Sequence, residues 1–371
     1  MLFIAFPASH SISCLSLKQR SKVIRKDLHQ MNLSFQKYIN RDSNMELLRI
    51  LAMFGILVLH ADFFSLDAPT KEELINAPFV STWRIIIENV TIISVNLFVL
   101  LSGWYGIHPK KKRFLGFIFQ ILFFNILFFC AFTIFSPEKT LTLNGFGSIF
   151  MLDTRFWFVK AYLLLYLISP ILNSYIEKVS QKQFKFLLIG FFIFQTVYGW
   201  LFSSVLWFKY GYSTISFIFI YLLASYLRKY KISGGGKLLL LIYAVFVLLN
   251  SAISYACVYY DRDIYIERLI AYNSPLVILA SVAVFLYFTK VHLKSGFMNM
   301  VAISSFAVFL FHCNYFFLEE VYRPWIMEWF AADTFIIFSV KALVFILVIF
   351  SLSIILDKIR IKVWKQVSSK I

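Results

Sequence analysis

The most informative spacing in this 371-residue sequence separates one arginine from one histidine. Arg49 precedes His60 by eleven positions. In an α-helix that separation is roughly 16 Å of rise and about 20° beyond three full turns, so both side chains share one face. Arginine binds phosphate through its fork of donors, and imidazole is suited to act as a general base on a hydroxyl. The pair predicts a ligand with an anionic end at Arg49 and a reactive end near His60.

Hydropathy predicts that this pair lies in a membrane. The chain is 60% hydrophobic and 15% charged, whereas soluble domains contain about 45–50% apolar and about 25% charged residues. A helix needs about 20 mostly apolar residues to cross the hydrocarbon. We therefore predict an all-α, polytopic integral membrane protein with ten transmembrane helices, near 46–64, 84–107, 114–135, 156–176, 184–203, 211–227, 238–257, 274–289, 297–318 and 334–356.

The predicted helices divide the chain into three parts. Residues 1–45 form an N-terminal extension, residues 46–357 the transmembrane domain, and residues 358–371 a basic tail. The extension is interpreted as cytoplasmic, because Met1 to Leu17 lacks the basic residues that open a signal peptide. Met31 is an alternative start.

The net charge of +17 is compatible with nucleic acid, anionic lipid or membrane topology. Lysine and arginine accumulate in cytoplasmic loops. Alternate segments of this chain hold 25 basic and four acidic residues, and the opposite loops hold nine basic and thirteen acidic residues. This asymmetry predicts that both termini are cytoplasmic. Nucleic acid is not expected as a partner, because the 44 phenylalanines lie inside apolar runs and do not interleave with a basic face.

Ionisable side chains inside the spans are candidates for function, because a charge at the bilayer centre costs at least ~2.5–3.5 kcal/mol. His312 lies roughly 22 Å from the cytoplasmic end of its predicted helix and His60 roughly 21 Å, so the two histidines are expected to meet. An ion pair between Lys341 and Glu88 is favoured over a role of either in substrate binding. The full set is Glu46, Arg49, His60, Glu88, His312 and Lys341.

The cysteines give no sign of a metal or disulfide framework. The four are far apart and form no CxxC or Cys/His ligand spacing. No metal site and no permanently bound cofactor are predicted.

Four segments follow one another along the predicted helices: Glu46-Leu47-Leu48-Arg49-Ile50-Leu51-Ala52 with Leu59-His60, Asn96-Leu97-Phe98-Val99-Leu100-Leu101-Ser102-Gly103, Trp157-Phe158-Val159-Lys160-Ala161-Tyr162 with Tyr166 and Ser169-Pro170, and Ser304-Ser305-Phe306 to His312. They resemble the acyltransferase 3 family of integral membrane O-acyltransferases. Its first helix carries Arg, ten residues and His, and later helices carry "FFxxSG", "WF…Y…P" and "SfxxYLxH" elements. The Phe309-Leu310-Phe311 run before His312 departs from that last element, which usually has a tyrosine.

The resemblance implies an enzyme of the bacterial cell membrane. The co-substrate would be cytoplasmic acetyl-CoA or another short acyl-CoA, and the acceptor a sugar hydroxyl of a surface or secreted polysaccharide or of its lipid-linked precursor. His60 and Arg49 are the candidate catalytic residues, and Arg49, Lys111 and Arg113 would bind the donor. Ser102, Asn96 or His312 would stabilise the oxyanion, and the sequence does not choose among them. The candidate substrate-binding residues are Glu46, Asn96, Ser102, Trp157, Tyr162 and His312.

Two other functions remain open at this stage. A transporter or flippase of lipid-linked glycan would also have many helices, but it would show an internal repeat or interrupted helices in matching halves, and no convincing repeat is found. A glycan polymerase or glycosyltransferase would favour a large outer loop, and none here exceeds about 20 residues. A second copy of the chain and proteins of polysaccharide assembly are open as partners.

Overall fold

The computed structural model describes residues 41–152, 156–202, 205–262 and 265–369. Every regular element within these ranges is a helix, so the predicted all-α class is confirmed for the described part of the chain. Most of the expected N-terminal extension, residues 1–40, lies outside the described residues.

The longer helices are labelled in chain order: α1 (Ser43–Ala61), α2 (Pro78–Thr91), α3 (Ser94–Tyr105), α4 (Lys111–Phe135), α5 (Trp157–Lys178), α6 (Gln181–Phe194), α7 (Thr214–Lys229), α8 (Gly236–Tyr259), α9 (Pro275–Phe288), α10 (Ser305–His312) and α11 (Phe335–Ser368). Short helical pieces connect them: Phe63–Leu66, Lys71–Asn76, Pro137–Thr140, Leu143–Ile149, Gln195–Leu201, Leu206–Gly211, Ile266–Leu269, Gly296–Ala302, Tyr315–Phe317, Leu318–Tyr322 and Arg323–Ala332.

Seven helical stretches in the described ranges are long and apolar enough to cross a membrane: Ser43–Leu66, Pro78–Tyr105, Lys111–Phe135, Trp157–Lys178, Gln181–Leu201, Gly236–Tyr259 and Phe335–Ser368. A bent pair, Gly296–His312 with Tyr315–Ala332, makes an eighth candidate. The two other predicted spans are helical but short, with 16 residues in α7 and 14 in α9. Helices therefore lie where hydropathy predicts them, while their lengths support seven or eight spans and not the predicted count of ten.

The predicted ninth span is not one continuous helix. The chain leaves the helix after Ala302, resumes it in α10, and leaves it again at Cys313, where the axis bends by 63°. The Asn314 side chain accepts a hydrogen bond of 3.1 Å from the backbone N–H of Phe316. Such a side-chain cap starts a new helix and competes with continuation of the previous one.

The helices α1, α2 and α3 form the centre of the bundle. In the most apolar part of the α2–α3 stretch, 67% of the residues are buried, whereas the corresponding share in α4, α5 and α8 is 22–28%. Two glycines permit the closest contacts: a Cβ at Gly55 would lie 2.3 Å from Ser94 Oγ, and a Cβ at Gly103 would lie 2.3 Å from the carbonyl oxygen of Tyr221 on α7. Any larger residue would push these helices apart.

Segments that the charge pattern assigns to the cytoplasm meet at one end of the bundle. Tyr105 donates a hydrogen bond of 2.8 Å to Asp42. Ser43 Oγ accepts one of 2.9 Å from the backbone N–H of Ser295. At the end of α11, the carbonyl of Ser368 accepts a hydrogen bond of 2.7 Å from Lys112. We refer to this as the basic end.

Segments with the opposite charge balance meet at the other end. Lys71 pairs with Asp261 at 2.7 Å, and this hydrogen bond raises the pKa of Lys71. Lys139 pairs with Glu320 at 2.6 Å. These contacts agree with the segment-by-segment alternation of charge, and the assignment of the basic end to the cytoplasm remains a prediction.

The expected ion pair between Lys341 and Glu88 is wrong. Lys341 instead binds Asp333, which precedes α11, at 2.6 Å. Glu88 is 1% exposed, and the buried cation of its region is Arg84, which donates a hydrogen bond of 2.7 Å to Asp62. The prediction missed Arg84 because it began this helix at residue 84, whereas α2 begins at Pro78 and carries Arg84 well inside.

Candidate active site

A cavity of about 500 Å³ opens at the basic end. Its wall carries Arg41, Arg49, Arg113 and His108, against the carboxylates Asp42 and Glu46, and also Ser102 and Tyr162. Three arginines around a cavity of this size provide many N–H donors for an anionic ligand.

Glu46 holds two of these arginines. Its Oε1 lies 2.6 Å from a nitrogen of Arg41, and its Oε2 lies 3.0 Å from a nitrogen of Arg49. Glu46 and Arg49 are three residues apart on α1, a spacing that brings side chains together on one helix face. Glu46 is buried, but the Arg49 side chain is 25% exposed. Glu46, predicted to bind substrate, therefore positions the guanidinium that faces the cavity.

A second cavity, of about 290 Å³, continues from the first. Arg49, Ser102 and Tyr162 line both cavities, and the second continues to Phe158 and Phe306. Its wall combines aromatic and aliphatic side chains with Arg49, Ser102 and Gln120. The two cavities therefore form one path from the basic end into the bundle.

The hydroxyls at this junction are hydrogen-bonded to each other. Ser102 Oγ donates to the carbonyl of Phe98 at 2.9 Å, and the hydroxyl of Tyr162 lies 3.1 Å from Ser102 Oγ. Because a serine has a single proton to donate, Tyr162 is the donor of the second bond. Two helices, α3 and α5, are thereby joined where the two cavities meet.

The two histidines of the sequence prediction lie side by side. The ring centroids of His60 on α1 and His312 on α10 are 5.1 Å apart. His312 is fully buried, and its Nδ1 lies 2.7 Å from the carbonyl oxygen of Val308. Since a carbonyl can only accept, Nδ1 carries the proton and Nε2 keeps a lone pair. His60 is half-buried and packs on Phe64 at 4.8 Å.

Cys313 joins this pair, which the sequence analysis did not foresee. Its Sγ lies 3.3 Å from His312 Nε2 and 3.7 Å from His60 Nδ1. Neighbouring residues of a continuous helix point in different directions, so adjacency to His312 gave no reason to group the two side chains. Cys313 is the first residue after the end of α10.

One aromatic side chain separates the inner cavity from the histidines. The ring of Phe309 lies 5.2 Å from that of Phe158, which lines the cavity, and 5.8 Å from that of His312. Phe309 is itself buried. Phe309 therefore lies between the lining of the inner cavity and His312.

Three aromatic side chains, Trp157, Tyr212 and Tyr272, form a cluster next to Phe158 of the inner cavity. The ring of Trp157 lies 4.4 Å from Tyr212 and 5.7 Å from Tyr272, on which it stacks. Asn96, predicted to bind substrate, is buried and donates a hydrogen bond of 2.9 Å to the carbonyl of Tyr272. Its amide therefore supports this cluster, and neither Asn96 nor Trp157 lines the two cavities.

Comparison with known proteins gives one match. The family model described as an acyltransferase domain, acyltransferase 3, matches residues 42–357. The chain belongs to the acyltransferase 3 family. Together with its apolar helices, this membership makes it a membrane acyltransferase. No curated protein and no solved structure matches it.

The structure of this acyltransferase explains why a serine, Ser102, is followed by a glycine, Gly103, on α3. Ser102 faces the path and binds Tyr162, while Gly103, the next residue, lies against Tyr221 on α7. Ser225 on α7 also donates a hydrogen bond of 2.9 Å to the carbonyl of Gly103. One residue thus faces the ligand path, and its neighbour sets the distance between two helices.

Two of the three predicted donor-binding residues of the acyltransferase line the open cavity, and the third does not. Arg49 and Arg113 line the cavity at the basic end. Lys111 is exposed and does not line it. Arg41 and His108 do line it, although the sequence analysis did not select them. Neither residue lies inside a predicted span, and the search for buried ionisable residues covered only the predicted spans.

Proposed function

We propose that this membrane acyltransferase transfers an acetyl or other short acyl group from acyl-CoA, bound at the basic end, to a sugar hydroxyl of a surface or secreted polysaccharide or its lipid-linked precursor. The observation that carries the proposal is the position of Arg49. Its side chain lines both the open cavity and the inner cavity, which leads toward His312. A donor with phosphates at one end and a thioester at the other fits this path.

The open cavity is suited to the nucleotide end of the donor. Small-molecule and cofactor sites measure about 300–1,000 Å³, and this cavity is about 500 Å³. Arg41, Arg49 and Arg113 offer paired N–H donors to phosphate oxygens. The inner cavity, at about 290 Å³, is suited to the narrower pantetheine arm. Its junction hydroxyls, Ser102 and Tyr162, offer partners to the amides of that arm. Because Ser102 lies beside Arg49, we assign it to the donor path and not to the oxyanion.

The reacting end of the path is the histidine pair. In this mechanism a ring nitrogen of His60 takes the proton from the acceptor hydroxyl as the oxygen attacks the thioester carbonyl. The carbon–sulfur bond breaks, and the CoA sulfur leaves as a thiolate that takes up the proton. Phe309 moves aside to admit the acyl group. His312, whose Nδ1–H is bound by Val308, stays neutral and packs against His60.

The acceptor reaches His60 from the other end. His60 is half-buried, and its neighbour Phe64 is 40% exposed, so this side of the pair is accessible. Donor and acceptor thus approach the pair from opposite ends of the bundle.

A transfer assay with purified enzyme in lipid nanodiscs tests the proposal. Isotope-labelled acetyl-CoA and glycan from a strain lacking the gene are supplied, and O-acetyl groups are measured by proton NMR. We expect label in the glycan with wild-type enzyme and labelling slower by ~10²–10⁴ with His60→Gln. Transfer at the wild-type rate by His60→Gln contradicts the mechanism, and movement of lipid-linked glycan without acyl-CoA favours a flippase. Within the described residues only one span is bent by more than 40° at a break, whereas a transporter would show such broken helices in both halves.

A further inference from the structure

We propose that His60, His312 and Cys313 form a binding site for one thiophilic divalent cation of the zinc class. The three donor atoms lie within 4.8 Å of one another. They come from α1, the end of α10 and the first residue after it. This site is additional to the acyl-transfer function proposed above.

Two of the three distances between donors match what such an ion needs. Zinc binds histidine nitrogen at about 2.0–2.1 Å and thiolate sulfur at about 2.3 Å in a tetrahedron, which places nitrogen and sulfur ligands roughly 3.5 Å apart. Cys313 Sγ lies 3.3 Å from His312 Nε2 and 3.7 Å from His60 Nδ1. Both values lie close to the expected separation. All three donor atoms lie within 4.8 Å of one another, so a movement of the half-buried His60 ring toward His312 completes the site.

The orientation of His312 is already that of a metal ligand. A ligating histidine almost always donates its second ring N–H to a carbonyl or carboxylate, which fixes the ring and the tautomer. His312 Nδ1 lies 2.7 Å from the carbonyl oxygen of Val308, one turn earlier on α10. The lone pair of Nε2 is therefore directed at the space beside the Cys313 sulfur, which is the position of the ion.

The donor set selects the class of cation. Two imidazoles and one thiol suit zinc and its neighbours among the transition metals, whereas magnesium and calcium prefer oxygen ligands. Three protein ligands leave a fourth position for water or another ligand. Because thiolate is the ligand, Cys313 releases its proton when the ion binds. His312 and Cys313 are buried, and the ion approaches beside the half-buried His60.

Binding has a consequence for catalysis that rests on the proposed function. An ion on Nδ1 of His60 uses the lone pair of that ring, and the remaining nitrogen then carries the proton. The ring has no lone pair left to accept a proton from a hydroxyl. The cation therefore inhibits acyl transfer, and a chelator restores it.

Cobalt titration of the purified, chelator-treated protein in detergent tests the site. We expect one Co²⁺ per chain and a sulfur-to-cobalt charge-transfer band in the near ultraviolet. Cys313→Ser should abolish the band, and His312→Ala should weaken binding at least tenfold. Cys257→Ser is the matched control and should bind as the wild type does. Retention of the band in Cys313→Ser, or no stoichiometric binding by wild type, overturns the proposal. Thermal unfolding of each variant checks that it is folded.

Zinc titration of the acyl-transfer reaction separates the two proposals. Inhibition in wild type that is lost in Cys313→Ser supports the cation site together with the role of His60. Cobalt binding without inhibition supports the site and contradicts the assignment of His60 as base. Activity without any cobalt binding overturns the site alone.

Discussion

The imidazole rings of His60 and His312 lie with their centroids 5.1 Å apart. They come from the first and the tenth labelled helices, and α1 packs directly against α10. His312 is held by the carbonyl of Val308, whereas His60 has one side toward the exposed ring of Phe64. One ring is therefore fixed in place, and the other is only half-buried.

Substitution His60→Gln should lower the rate of acyl transfer by ~10²–10⁴, which is the usual contribution of a general base. Binding of acyl-CoA should change little, because Arg49 lies roughly 16 Å away along the helix. Single-turnover transfer and calorimetric binding of acyl-CoA measure the two effects. His292→Gln, at an exposed position between α9 and Gly296, is the control. Equal losses of rate and donor affinity would speak against the role of His60.

Substitution Arg49→Lys should raise the KM for acyl-CoA by about 10–100-fold, because a hydrogen bond to a charged group contributes about 1.5–3 kcal/mol and lysine lacks the planar fork. The kcat should change less. Acyl-pantetheine, which lacks the nucleotide phosphates, should be used equally by both enzymes. If Arg49→Lys impairs acyl-pantetheine as strongly as acyl-CoA, Arg49 does not bind phosphate. Arg262→Lys, exposed at the other end, should have no effect.

Substitution Gly103→Ala should destabilise the fold. The new Cβ would lie 2.3 Å from the carbonyl oxygen of Tyr221 and 2.9 Å from the Cβ of Ala224, so α3 and α7 must separate. Overpacking of this kind costs typically about 1–3 kcal/mol. Thermal unfolding in detergent measures the loss. Gly190→Ala is the matched control, because a Cβ there has nothing within 4 Å. Equal midpoints for the two variants would show that the close contact is unimportant.

Substitution Arg84→Gln should destabilise the protein by about 3–5 kcal/mol, because it leaves the buried carboxylate of Asp62 without its cation. Lys341→Gln removes a cation from an ion pair whose lysine side chain is 45% exposed, and exposed pairs contribute only about 0–1 kcal/mol. The midpoint of unfolding should therefore fall much further for Arg84→Gln. Similar small losses in both variants would mean that Asp62 is neutral in the folded protein.

Single cysteines introduced into a variant without native cysteines should report the orientation of the bundle. Lys139→Cys, beside Glu320 at the end away from the basic cavity, should react with a membrane-impermeant maleimide added to intact cells. Lys231→Cys, between α7 and α8, should react only after the cells are opened. Both positions are outside the long helices, so neither label disturbs a span. The reverse pattern would invert the predicted topology.

Properties that depend on neighbours along the chain were predictable from the sequence. Helix positions follow from the length of apolar runs, and the shared face of Arg49 and His60 follows from the helical repeat. The proximity of His60 and His312 was predicted from their depth in the membrane alone. If two helices start at the same membrane surface, residues at equal distances from that surface lie at the same level. The break at Cys313 did not change this result, because α10 ends at His312.

Properties that depend on packing partners were not predictable. Lys341 was assigned to Glu88 because both lie at a similar depth, but depth does not select a partner, and Asp333 is nearer along the chain. The contacts of Cys313 with His312 and His60 are likewise a property of the tertiary structure. Phe309 looked like any other aromatic residue, and its place between the cavity and His312 follows only from the tertiary structure.

The last helix extends past the residues that define the family. The match ends at 357, whereas α11 has 34 residues, roughly 51 Å of helix against a hydrocarbon thickness of about 30 Å. Asp357 is fully buried, and it accepts hydrogen bonds from Arg360, at 2.6 and 2.9 Å, and from Gln120 at 3.0 Å. A shortened protein that stops at residue 357 would lose Arg360 and leave a buried carboxylate without its cation. Anyone who trims this enzyme for crystallisation should therefore keep the chain to Ser368.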